Sequence, residues 1–168
     1  TAGGTFDPGT IDSCWTRNAS SNYWWKGNSG ATPTTGTGPT GDHTSGSGSY
    51  MYTETSSSTV LSTEILSPEI DLAALSAPEL RFWYHMFGGL IDQLEVFVEN
   101  AGTSTSISLI SGAQQSTNAD PWLQEIVDLS AFVGSTIQLR FVASRNPGFN
   151  NQVDISIDDL SVDEAPSC

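Results

Sequence analysis

The sequence predicts an all-β fold, a two-sheet antiparallel β-sandwich of jelly-roll type, on three observations. Only 14% of residues are charged, while 37% are hydrophobic, and Gly, Ser and Thr fill the difference; that balance suits short strands joined by turns. About eight to ten short runs with period-two character are separated by turn signals. Amphipathic runs of helix formers are nearly absent, and the long gaps between runs favour Greek-key or jelly-roll connections over simple hairpins.

The elements follow in order. Residues 1–28 are turn-rich and carry Phe6, Trp15, Tyr23, Trp24 and Trp25. Residues 29–49 are nearly all Gly, Ser, Thr and Pro, which by composition alone is a flexible linker. Pro39, Asp42 and His43 interrupt it with residues that define turns, so we expect an ordered long loop. Strands are then expected over 49–54, with Tyr50 and Tyr52 on one face, and over 60–66, closed by Ser67-Pro68. The strongest strand signal covers 78–87, and 93–99 alternates cleanly through Leu94, Val96 and Val98. Residues 104–110 give a weaker run. Leu123, Ile126 and Leu129 have helix-like spacing, but the segment is short and follows Pro121. Ile137, Leu139, Phe141 and Ala143 share one face of a strand over 135–144, and 153–162 closes the chain.

A chain of 168 residues suits one domain. We read 1–168 as a single jelly-roll domain, excised from a larger multidomain protein whose other domains are its natural neighbours. Nineteen acidic and five basic residues give a net charge of -14, which repels nucleic acid and anionic membranes. No run reaches the ~18 apolar residues of a membrane span, so no membrane insertion is expected. Cys14 and Cys168 are too few for a disulfide framework, and their spacing fits no zinc site.

Several segments, in order, resemble a MAM domain, the extracellular family named for meprin, A-5 protein and receptor phosphatase mu. They are Thr5-Phe6-Asp7, Cys14-Trp15, Trp25, the run from Gly38-Pro39 through Asp42-His43-Thr44 to Tyr50-Met51-Tyr52, and Leu66-Ser67-Pro68. Leu80-Arg81-Phe82-Trp83-Tyr84-His85-Met86, Trp122, Asp154-Ile155-Ser156-Ile157-Asp158-Asp159-Leu160 and the closing Cys168 complete the series. The family usually has four cysteines in two local pairs; Gly4 and Glu79 stand near where two of them would be. That loss, with the Ser/Thr-rich loops, suggests a bacterial member. Cys14 and Cys168 are then left either to pair with each other or to stay apart.

Asp7, Asp42, Asp158 and Asp159 come from three separate points of the chain. Several jelly-roll domains resemble this pattern, with one structural calcium tying the first strand, a long loop and the last strand together. Ile155 and Ile157 alternate inward while Leu160 and Val162 continue in the other phase; a β-bulge at the aspartate pair would explain the shift and aim a carboxylate at an ion. The alternative is that Asp42 caps a turn and the pair ends a strand.

Catalysis is not expected. His43 reads as a turn hydrogen-bonding residue and His85 as a packed strand residue. Residues 46–48 lack the context of a nucleophile elbow, and Glu95 and Glu99 read as surface decoration. Arg81, Trp83 and His85 share a face of their strand, as do Gln93, Glu95 and Phe97, and Gln138 and Arg140. If these strands are neighbours, Arg81, Trp83, His85 and Arg140 form a surface for sugars or protein. Otherwise a loop or second sheet covers it and Trp83 is secondary core. One of Trp24 and Trp25 must point away from the core, and the outward one is a candidate contact. The resemblance implies a non-catalytic extracellular recognition or adhesion module, secreted or at a cell surface, that binds protein or polysaccharide. The alternative is a carbohydrate-binding appendage of a secreted polysaccharide- or protein-degrading enzyme.

Overall fold

A computed structural model describes residues 14–17, 23–55, 59–148 and 152–166. Eleven strands are present among them: β1 (Thr16–Arg17), β2 (Tyr23–Asn28), β3 (Tyr50–Thr55), β4 (Ser62–Leu66), β5 (Ile70–Asp71), β6 (Pro78–Phe87), β7 (Ile91–Asn100), β8 (Thr103–Ser111), β9 (Leu123–Asp128), β10 (Thr136–Arg145) and β11 (Asp154–Glu164). The first sheet runs β1-β4-β10-β7-β8, with β5 also pairing β10, and the second runs β2-β3-β11-β6-β9. Every recorded pairing is antiparallel. This is the expected all-β sandwich.

The core lies where the inward halves of the alternating strands meet. Leu80, Phe82, Tyr84 and Met86 of β6 face Leu94, Val96 and Val98 of β7 and Leu139, Phe141 and Ala143 of β10. Phe82 and Phe141 meet edge to face between the sheets, centroids 5.4 Å apart. Fully burying each large side chain contributes roughly 1.5–3 kcal/mol. Trp15, Trp25, Met51, Ile65, Ile155 and Ile157 extend the same cluster.

On β11 the register passes from Asp158↔Trp83 directly to Ser161↔Arg81, so Asp159 and Leu160 together oppose one residue of β6. This is the bulge the phase shift requires. Asp159 adopts φ 44°, which turns its carboxylate out of the sheet, while Leu160 and Val162 rejoin the core.

Three expectations are corrected. The turn-rich N-terminal segment contains β2, which exists because it pairs along its length with β3, from Tyr23↔Thr55 to Asn28↔Tyr50. The helix-spaced segment is β9, an edge strand, so its phase is loosely constrained and Leu123 and Ile126 remain exposed. A single mixed face does not form: β6 lies in the second sheet, whereas β7 and β10 lie in the first. Arg81, Trp83 and His85 therefore sit on one outer face of the sandwich, and Arg140, Gln138 and Phe97 on the other. Period two assigns a side within a strand's own sheet, not the sheet itself.

Candidate functional site

Residues 29–49 fold into an ordered loop over the outer face of the second sheet. Gly38 N–H donates to Phe87 O (2.9 Å), and Thr32 Oγ1 donates to Thr37 O (3.0 Å). Within the loop, Asp42 is the organising group. Its Oδ1 accepts from Gly48 N–H (2.6 Å) and its Oδ2 from Ser45 N–H (3.0 Å), with the Ser45 hydroxyl on both oxygens. Burial alone would raise this carboxyl; the Ser45 and Gly48 donors outweigh it and hold it below the usual range. Gly41 and Gly48 are required by space: a Cβ would lie 2.3 Å from Gly46 O at the first and 2.7 Å from Asp42 Oδ2 at the second.

The loop is riveted to β11 and β6 by its next two residues. His43 N–H donates to Asp158 Oδ2 (2.9 Å). The His43 ring places Nδ1 2.7 Å from Asp159 Oδ2, which also accepts from Thr44 Oγ1 (2.5 Å). The same ring stacks on Trp83 at 3.7 Å and 14°. Trp122 closes the junction by donating its indole N–H to Gly41 O (3.2 Å) and packing edge-on to Tyr50 and His85. Asp158 is raised to about 6, chiefly by burial and also by the Asp159 and Asp42 carboxylates, against the lowering effect of the His43 and Asp159 N–H groups.

Three of the four aspartates picked from the sequence, Asp42, Asp158 and Asp159, thus meet at one junction, while Asp7 lies outside the described residues. Each uses its oxygens to organise loop or bulge. Among the described residues no three His, Cys, Asp or Glu side chains form a metal-holding group. Cys14 is exposed, and Cys168 lies outside the described residues, so a bridge between the two does too.

The other candidates separate. Trp25 is fully buried in the core and His85 is fully buried beside Trp122, so neither has surface to offer a partner. This corrects both as contacts: alternation places Trp25 inward, and Trp122 packs edge-on against His85. The side chain of Trp24 is not among those described. Trp83 is half-buried under His43, and Arg81 pairs with Glu79 beside it.

Arg140 stands on the opposite outer face, in a groove of about 610 Å³ lined by Glu64, Leu66, Glu99, Ser104 and Gln138. Its guanidinium donates to Glu99 Oε1 (2.6 Å), Glu64 Oε2 (3.2 Å) and Ser104 Oγ (2.9 Å), and lies 4.3 Å over the Phe97 ring. Burial opposes charge on Glu99, but the Arg140 and Ser104 bonds hold its carboxyl below the usual range.

Sequence reasoning missed a polar layer beneath the loop. Asp154, Ser156 and Asp158 share the outward face of β11, and the first two are fully buried. Asp154 Oδ2 accepts from Thr37 Oγ1 (2.5 Å), while Asp154 Oδ1 and Ser156 Oγ have no hydrogen-bond partner among the described residues. Burial pushes Asp154 up to about 7 and His85 down to about 4. The alternation of Asp154 and Ser156 with Val153, Ile155 and Ile157 was the available signal; that a loop would bury the polar side was not in it.

The family model for the MAM domain, meprin/A5/mu, matches residues 4–168. The chain belongs to the MAM family. It is 34% identical over 151 residues to human MAM domain-containing protein 2, covering 89% of this chain and 21% of that protein. This MAM domain therefore spans about a fifth of that curated relative. Among solved structures, the K1 cleaved adhesin domain of Lys-gingipain from Porphyromonas gingivalis W83 superposes with TM-score 0.54 at 16% identity, covering 97% of each chain. TmCBM61, solved with β-1,4-galactotriose, superposes with TM-score 0.55 at 14% identity, covering 97% of this chain and 100% of that one. At these identities the likeness is one of fold.

Proposed function

We propose that this MAM domain is a non-catalytic recognition and adhesion module that works outside the cell as one part of a longer secreted or surface protein. Membership of the family over residues 4–168 carries the reading, and the fold shared with an adhesin domain fits it. The loop junction holds the scaffold, and the groove around Arg140 is the contact we assign to an extracellular partner. Its donors and acceptors are pre-set by the Glu99, Glu64 and Ser104 bonds, so little side-chain freedom is lost on binding. Retention of the isolated domain on immobilised extracellular-matrix proteins, reduced at least tenfold by Arg140→Ala, is the expected result. Retention that ignores this change would remove the groove from the reading, and no retention would remove the matrix partner.

A second reading, carbohydrate binding as an appendage of a secreted degradative enzyme, is favoured by one observation: the groove sets a planar guanidinium among the carboxylates and the Gln138 amide, groups that match sugar hydroxyls. The fold shared with a galactotriose-binding domain is compatible with it. Retention on insoluble polysaccharide with none on matrix proteins would select this reading over the first.

We also propose a structural calcium at the loop junction. Asp42 and Asp158 would hold it, with Asp7 and backbone carbonyls completing the oxygen set that calcium requires. The supporting observation is that burial and, after it, the Asp159 and Asp42 carboxylates raise the cost of ionising Asp158. Bound calcium would neutralise that charge and fasten the loop to the last strand.

A further inference from the structure

We infer that the groove between residues 68–75 and the end of β11 binds a basic peptide segment of a partner protein. One apolar side chain of that segment fills the groove, and lysine or arginine flanks it. Among the described residues the pairing of β11 with β3 covers Ser156 and Ile157, whereas its pairing with β6 runs to Glu164. Past the bulge, β11 therefore has a strand on one side only. There Val162 and Asp163 join residues 68–75 to line a groove of about 410 Å³. Its apolar wall is made by Pro68, Ile70, Leu75 and Val162. Ile70 and Leu75 are half-buried against the core, so the wall is a fixed part of the sandwich. An apolar side chain can enter it with little rearrangement.

Charge names the occupant. The rim carries Glu69, Asp71 and Asp163, all exposed, and among the described residues no Lys, Arg or His lines the groove. Asp71 Oδ1 accepts from Ala73 N–H (2.9 Å), which holds that carboxylate in place. The ion pairs recorded among the described residues use Asp159, Glu79, Glu64 and Glu99, and so none of the rim carboxylates. A segment with lysine or arginine supplies the charge that this part of the chain does not. An acidic segment would be repelled, and a neutral one would dry the rim without pairing it. The wall is aliphatic, with no aromatic ring to cover a sugar face. A second copy is a poor occupant, since it brings a net charge of -14 and only five basic residues. Glu69 also lines the Arg140 groove, so the two grooves adjoin and one partner can span both.

The inference rests on the reading of this domain as a recognition module. A fluorescent pentapeptide, one leucine between paired lysines, tests it by anisotropy. The domain is titrated to about 1 mM at physiological salt. The expected result is saturable binding, weakened about tenfold by Asp163→Lys and about tenfold by serine in place of the leucine. Asp92→Lys makes the same change of charge at an exposed site outside the groove and should leave binding unchanged. Near-UV circular dichroism checks that both variants keep the fold. Absence of binding would overturn the inference. So would equal weakening by both variants, which is general attraction to an acidic surface, or indifference to the serine. Sedimentation showing a dimer that Asp163→Lys abolishes would give the groove to a second copy instead. Matrix retention and its dependence on Arg140 are a separate readout, so either idea can fail alone.

Discussion

At the residue scale, Asp154 has the clearest consequence. Its folded-state carboxyl titrates at about 7, raised by burial, against roughly 3.9 in an unfolded chain. Between those values the folded state holds a proton that the unfolded state has released. Stability is therefore expected to fall as pH rises from about 4 to about 7 and to stay low above that. Asp154→Asn mimics the protonated form, so in chelator-treated protein the variant should melt higher than wild type at pH 8 and show a flatter profile. Net charge also grows with pH and pulls the same way; the difference between the two proteins isolates Asp154. A wild-type profile that rises over this window, or an Asn variant with an equal slope, would count against the assignment. Arg140 makes a contrasting case. Its ion pairs are partly exposed, where a pair contributes about 0–1 kcal/mol, so Arg140→Ala should cost about 1 kcal/mol in urea unfolding while its effect on binding is much larger.

At the element scale, the 29–49 loop is held by polar and aromatic contacts with little apolar material of its own. Buried polar atoms without partners oppose its closure by about 1–3 kcal/mol each. Against them stand the Asp42 hydrogen bonds, the Trp122–Gly41 bond and the His43–Trp83 stack, an aromatic contact worth about 0.5–1.5 kcal/mol. The balance is narrow, and His43→Ala should speed amide exchange across residues 29–49 while leaving β7 and β10 unchanged. Gly41→Ala should do more, lowering stability by at least about 1 kcal/mol, because the methyl would overlap the Gly46 carbonyl. Exchange that accelerates uniformly through both sheets would show that the loop is not a separate unit. The balance also explains what the sequence could reveal. Strands such as β6, β7 and β10 were legible because their alternation is local, and the β11 bulge was legible because the phase of Ile157 and Leu160 breaks within three residues. The assignment of β6 to one sheet and β10 to the other was not, since pairing between distant strands leaves no local pattern. The burial of Asp154 was hidden for the same reason: it is imposed by Thr37, in a loop more than a hundred residues away from β11. The expectation that Asp42 and Asp158 share a calcium came from the family's motifs and from other jelly-roll domains, not from spacing along the chain.

At the scale of the whole molecule, the question is whether a net charge of -14 is tolerated by general screening or by a specific ion. The two make different demands. Screening depends on ionic strength and acts on exposed charges anywhere on the surface. A calcium site at the junction of Asp42 and Asp158 would act at one place and would discriminate among divalent ions, because magnesium requires a tighter octahedral set and gives up its waters reluctantly. Metal-stripped protein should therefore gain little from millimolar magnesium or matched sodium chloride and melt distinctly higher in calcium. A ligand at a hundred times its dissociation constant adds about 2.7 kcal/mol to the folded state. Asp158→Asn should erase the calcium increment while leaving the response to sodium chloride intact, since a single charge among nineteen acidic groups alters general repulsion little. Equal melting in calcium, magnesium and chelator, with a common rise in salt, would mean that the loop is held to the last strand by the His43, Thr44 and Trp122 contacts alone.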